Sequence, residues 1–125
     1  MKTISVVSLL GTTALLTAEK GIELFEKIIE LLKAHHESSP PLEKFILNFE
    51  GYEYVSSTFM NRSFGRLCVD KDWTVAKMKQ HFFIENLIED DMEDLELSIL
   101  NARERSKLLA KGIDLRKHYA SVYNY

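Results

Sequence analysis

One cysteine in 125 residues, Cys68, leaves the chain without an internal disulfide framework and suits a reducing compartment. Prolines are as scarce: there are two, adjacent at Pro40 and Pro41. The five glycines are scattered, with Gly51 and Gly65 each alone, so no P-loop, dinucleotide fingerprint or GxSxG elbow can be drawn. Neither charge sign dominates. Sixteen basic residues stand against 19 acidic ones, for a net charge of −3, which removes any global electrostatic case for nucleic acid. No later run approaches the ~20 apolar residues of a membrane span, and there is no internal repeat or low-complexity tract.

What is present is ordinary for a soluble globular protein: 46% hydrophobic and 28% charged residues, in a chain long enough to bury a core as one domain, 1–125. The start, "MKTISVVSLLGTTALLTA", resembles a secretory signal in having Lys2, an apolar run and small residues near its end. Ser5, Ser8, Gly11, Thr12 and Thr13 break the run, and it reads instead as a strand over 2–10, or a hairpin with a short second strand at 14–16. From Glu19 to Ala34 the period becomes helical, with Ile22, Phe25, Ile29 and Leu32 in register, backed by Ile28 and Leu31. Pro40 and Pro41 stop that helix.

Residues 44–49 predict a strand, followed by a turn at Gly51, and 57–69 a helix with Met60, Phe64, Leu67 and Cys68 on one stripe. A loop at 70–73, a short helix at 74–80 and a strand at 81–87 follow. A long helix then starts at Glu89, with Met92, Leu95, Ile99 and Ala102 at three- and four-residue spacing. Its acidic start and basic end complement the helix dipole, and Gly112 is its natural stop. The tail, 113–125, is either a docking helix or a frayed end. Strands alternating with helices predict an α/β domain on a partly parallel sheet.

Few residues suggest chemistry. His35 and His36 are neighbours and point about 100° apart on a helix, while His81 and His118 stand alone, so no metal set emerges. "EDDMEDLE" lacks the alternating oxygens and central glycine of a calcium loop. Cys68 sits on an apolar stripe and reads as a buried, inert thiol. "NARERSKLLAK" is a solvated basic face or a contact for an acidic partner. The pair Ser56–Ser57, between an apolar run and a helix, remains. A serine is a preferred N-cap, but one cap needs one serine. At a helix start the other is a place where the fold tolerates a phosphate and a partner can read it.

The block "FILNFEGYEYVSSTFMNRSFGRL" resembles the centre of STAS domains, the fold of bacterial anti-sigma-factor antagonists, and is closer still to a STAS-like bacterial family. The matching positions are Asn48 and Phe49, then Ser56, Ser57 and Phe59, then Phe64 and Gly65. "FFIENLIEDDMEDLELSILNARER" fits that family's last strand, link and charged helix, so the similarity spans about residues 17–107. The resemblance implies a mixed, partly parallel sheet of about four strands with helices packed against it. It also implies a non-catalytic, cytoplasmic regulatory module of a bacterial signalling system, with no cofactor and no metal. Its partner would be a histidine-kinase-like ATPase that phosphorylates the second serine of the motif. By position the phosphoacceptor is Ser57, with Ser56 beside it, and Thr58, Phe59, Asn61 and Arg62 are candidates for partner contact. Val55 stands where the family has an acidic residue, and Thr58 where it has glycine. These departures equally suit a constitutive protein-interaction or assembly subunit that is never phosphorylated.

Overall fold

A computed structural model describes residues 1–37 and 44–112. Its strands form two parallel ladders. β1 (Thr3–Ser5), β3 (Phe45–Asn48) and β5 (Phe82–Glu85) make a three-stranded sheet in the order β1-β3-β5, with Ile4 opposite Leu47 and Phe45 opposite Phe82. β2 (Ala14–Leu15) pairs with β4 (Tyr54–Val55). The architecture is thus α/β and parallel in every described pairing. The four-stranded sheet of the expectation is replaced here by a ladder of three and a ladder of two.

The predicted strand over 2–10 ends early. Ser5 accepts a hydrogen bond from the Ser8 N–H at 3.2 Å and so caps α1 (Val6–Leu10), which Gly11 closes at φ +68°. Val6 and Leu10, four residues apart, both enter the core, a helical spacing that the β-branched composition of the run conceals. Nor is there a hairpin: β2 turns away from β1 to pair with β4, forty residues on. A turn at Glu50–Gly51, with Gly51 at φ +92°, separates β4 from β3 and gives this apolar stretch two strands where one was expected.

The helices keep their predicted places more closely. α2 (Ala18–Glu37) buries Gly21, Leu24, Phe25, Ile28 and Leu32, a stripe rotated slightly from the predicted one, so that Ile22 and Ile29 flank it half-buried. α3 (Ser57–Met60) continues through a π turn (Asn61–Gly65) into α4 (Arg66–Lys71). Met60, Phe64, Leu67 and Cys68 are all buried, as their spacing predicts. The helix runs two residues into the expected loop, to Asp72 in the left-handed region at φ +54°. α5 (Val75–Met78) is capped by Thr74, and α6 (Glu89–Ala110) buries Leu95, Ser98 and Ile99. None of the described helices is long and apolar enough to cross a membrane.

The core lies between one face of the three-stranded sheet and the helices α2, α3–π–α4 and α6. Phe45 stacks on Phe82 at 5.1 Å between centroids, Phe82 meets Phe64 at 6.4 Å, and Phe64 meets Phe49 at 6.2 Å. At the far end, the Tyr52 hydroxyl donates to Asp91 Oδ2 at 2.6 Å and accepts from the Ile88 N–H at 3.1 Å, fixing the start of α6. Burial, then this bond to Asp91, raises the tyrosine pKa. Arg103 secures the other end, donating to Asp72 Oδ1 and the Trp73 carbonyl at 3.1 and 2.9 Å. The break at Pro40–Pro41 and the tyrosine-rich tail with His118 lie outside the described residues.

Candidate functional site: the junction of two helix starts and an arginine pocket

The two-stranded ladder launches two helices side by side. Beyond β2, Thr17 accepts from the Lys20 N–H at 3.2 Å and opens α2. Beyond β4, Ser56 is extended (φ −109°, ψ 160°), and its N–H donates to the Leu15 carbonyl at 3.0 Å. The Ser56 hydroxyl has two tasks. It accepts from the Phe59 N–H at 3.1 Å, capping α3, and donates to the Leu16 carbonyl at 2.8 Å, tying the two helix starts together. Just inside, α2 and α3 approach so closely that only glycine fits at position 21. A Cβ there would lie 2.8 Å from both the Phe59 carbonyl oxygen and Arg62 Cβ.

The structure therefore divides the serine pair. Ser56 is the structural one. Ser57, the first helical residue, is exposed, and its hydroxyl makes no hydrogen bond among the described residues. Beside it the ladder shows apolar surface to solvent: Tyr54 is 63% and Leu16 46% exposed. Strand alternation puts both on the ladder face that carries Ser56, while Leu15 points into the core.

The candidate contact residues separate as well. Thr58 and Arg62 are exposed and Asn61 is half-buried. Phe59 is a correction: it is wholly buried, packed with the core, and offers no surface to a partner. Thr58, Asn61 and Arg62 share a pocket of about 390 Å³ with Arg66 and Arg105, two residues that sequence reasoning did not single out. Arg105 belongs to the basic end of α6, which was legible as a charged face without a location. Arg66 is placed by the π turn. In an unbroken α-helix it would lie about 80° round the axis from Thr58, eight residues back; the extra residue of a π turn brings it to within about 20°.

That π turn has local causes. The Arg66 N–H reaches the Asn61 carbonyl five residues back. The buried Ser63 hydroxyl donates to the Phe59 carbonyl at 2.8 Å, giving that acceptor a side-chain partner where the ladder rearranges. Gly65 lies against α6, where a Cβ would be in ordinary van der Waals contact with Ala102 Cβ at 3.4 Å. The Arg66 guanidinium carbon lies 4.2 Å from the centroid of the Phe25 ring, a cation–π contact that holds its planar fork.

Other candidates have structural work or none. The Asn48 carboxamide oxygen accepts from the Glu50 N–H at 3.0 Å and from Asn86 Nδ2 at 2.7 Å, joining the ends of β3 and β5. Cys68 is fully buried, and burial pushes its thiol pKa up to about 12 against the opposing pull of Arg103; a thiol so held is no nucleophile at neutral pH. Among the described residues no group of three or more His, Cys, Asp or Glu side chains is placed to hold a metal ion. Comparison with protein-family models, curated proteins and solved structures found no match to this chain.

Proposed function

We propose that this protein is a non-catalytic regulatory binding module of a bacterial signalling system, similar to an anti-sigma-factor antagonist, that engages a protein partner at the junction around Ser57. The observation carrying the reading is the division of labour between the serines. Ser56 satisfies the helix start, which leaves Ser57 exposed and with no bond whose loss would harm the fold. A phosphate there meets the positive end of a continuous helical segment, 57–71, and adds about two negative charges to the surface. Exposed Tyr54 and Leu16 supply the apolar area of a contact, tyrosine being a frequent anchor of interfaces. The partner is then a histidine-kinase-like ATPase, both modifying Ser57 and released by the modification, with the module in the cytoplasm.

The test is binding of the wild type, Ser57→Ala and Ser57→Asp proteins to the histidine-kinase-like ATPases of the native host. The switch reading expects Ser57→Ala to bind like wild type and Ser57→Asp to lose roughly tenfold or more, the scale of one charged contact turned repulsive. Equal binding by all three removes the switch. It would favour the constitutive assembly subunit, which the valine at position 55 and the threonine at position 58 suit.

A further inference from the structure

The arginine pocket has a composition that the fold does not need. Three arginines, Arg62, Arg66 and Arg105, line one cavity of about 390 Å³ in a protein whose net charge is −3. Among the described residues none of the three is within ion-pair distance of a carboxylate, although four basic side chains elsewhere in the protein are so paired: Lys20, Lys27, Lys79 and Arg103. Like charges converging without a counter-charge repel one another, which costs stability unless an anion joins them. The other lining groups, Thr58 and Asn61, are neutral hydrogen-bonding side chains and add no negative charge.

The arginines also reach the pocket by separate routes. Arg62 is backed by the close contact of α3 with Gly21, Arg66 is stacked on Phe25 and rotated into place by the π turn, and Arg105 arrives from α6. π turns inside helices are frequent at functional sites. Here the turn brings a third cation to the same face.

We infer that this pocket binds a small oligophosphate anion, such as pyrophosphate or the phosphate chain of a nucleoside diphosphate. The guanidinium fork fits phosphate oxygens in pairs, and three forks match two linked phosphates better than a single one. The cavity falls within the usual range for small-ligand sites, and its walls are polar where an apolar ligand would need aliphatic or aromatic ones. The inference stands apart from the switch reading, because it requires no modification of Ser57.

The experiment is calorimetric titration of the full chain at low ionic strength with sodium pyrophosphate, ADP, inorganic phosphate and citrate, repeated with Arg105→Glu and Arg105→Lys. The expected order is pyrophosphate and ADP above inorganic phosphate, with citrate weakest, and affinity falling as salt is added. Equal affinity for pyrophosphate and ADP identifies the phosphates alone as the recognised group; tighter ADP shows that the nucleoside contributes. Arg105→Glu should weaken pyrophosphate binding about a hundredfold and Arg105→Lys about tenfold, since lysine keeps the charge and loses the fork. Thermal unfolding with and without pyrophosphate confirms that each variant is folded and should show a ligand-induced rise in Tm for wild type only or most strongly. No detectable heat with millimolar pyrophosphate, citrate binding as tightly as pyrophosphate, or unchanged affinity in folded Arg105→Glu would each overturn the site.

Discussion

Replacing each serine of the pair with alanine separates structure from function in one comparison. Ser56→Ala removes the acceptor for the Phe59 N–H, a cap loss of about 0.5–2 kcal/mol. It also removes the donor to the Leu16 carbonyl, a neutral hydrogen bond with a net contribution of about 0.5–1.5 kcal/mol. Leu16 is half exposed, so water can satisfy part of its carbonyl, and the lower half of the combined range applies: about 1–2 kcal/mol. With a urea m-value of about 1–3 kcal/mol per molar, the unfolding midpoint should fall by roughly 1 M at unchanged slope. Ser57→Ala breaks no hydrogen bond and places a better helix former at a helical position, so its stability should stay within about 0.5 kcal/mol of wild type. Ser56→Asp keeps the acceptor, loses the donor, and should fall between them. Urea titrations followed by far-UV circular dichroism measure all three. A Ser57→Ala loss as large as that of Ser56→Ala would refute the division of roles on which the functional reading rests.

Two further perturbations test the surrounding fold. Gly21→Ala gains helix propensity of about 1 kcal/mol but drives a methyl group into the backbone carbonyl of Phe59, so we expect a net loss of about 1–3 kcal/mol in chemical denaturation; a stabilised protein would contradict the close approach of α2 and α3. Cys68 should react with a thiol reagent at neutral pH only as fast as the protein opens, and at full rate in denaturant; rapid labelling of the native state would contradict its burial. Because its pKa is raised to about 12 in the folded state, the unfolded thiol ionises first. Its contribution to stability is complete below about pH 8.5 and is lost progressively as the pH rises towards 12, which pH-dependent denaturation of wild type against Cys68→Ala will register.

How far the sequence led is clearest at particular residues. The helices α2 and α6 and the strands β3 and β5 follow directly from the spacing of Phe25, Ile28 and Leu32, of Leu95 and Ile99, and from the apolar runs at 45–48 and 82–85, because burial of one face sets those periods. Over Val6–Leu10 the β-branched residues favour a strand locally, while the Ser5 cap and the burial of Val6 and Leu10 decide for a helix. β4 was hidden because a two-residue strand has no period of its own; its partner β2 defines it. The sequence block named the serines, Thr58, Asn61 and Arg62 as candidates without showing that the last three line one pocket, and it did not show that Phe59 faces the core, because the first turn of a helix carries exposed positions (57, 58) and buried ones (59, 60) side by side. The sequence does not mark Arg66, because a π turn leaves no sign in a 3.6-residue pattern, or Arg105, because only tertiary packing brings α6 beside α3.

The central claim, that Ser57 is a switch, is tested most directly by intact-mass measurement and phosphosite mapping on the protein purified from its native host under active signalling. The account predicts a single phosphate on Ser57 and none on Ser56, whose hydroxyl is committed to the Phe59 N–H and the Leu16 carbonyl. An unmodified chain under those conditions, or a phosphate on Ser56 in place of Ser57, would contradict it.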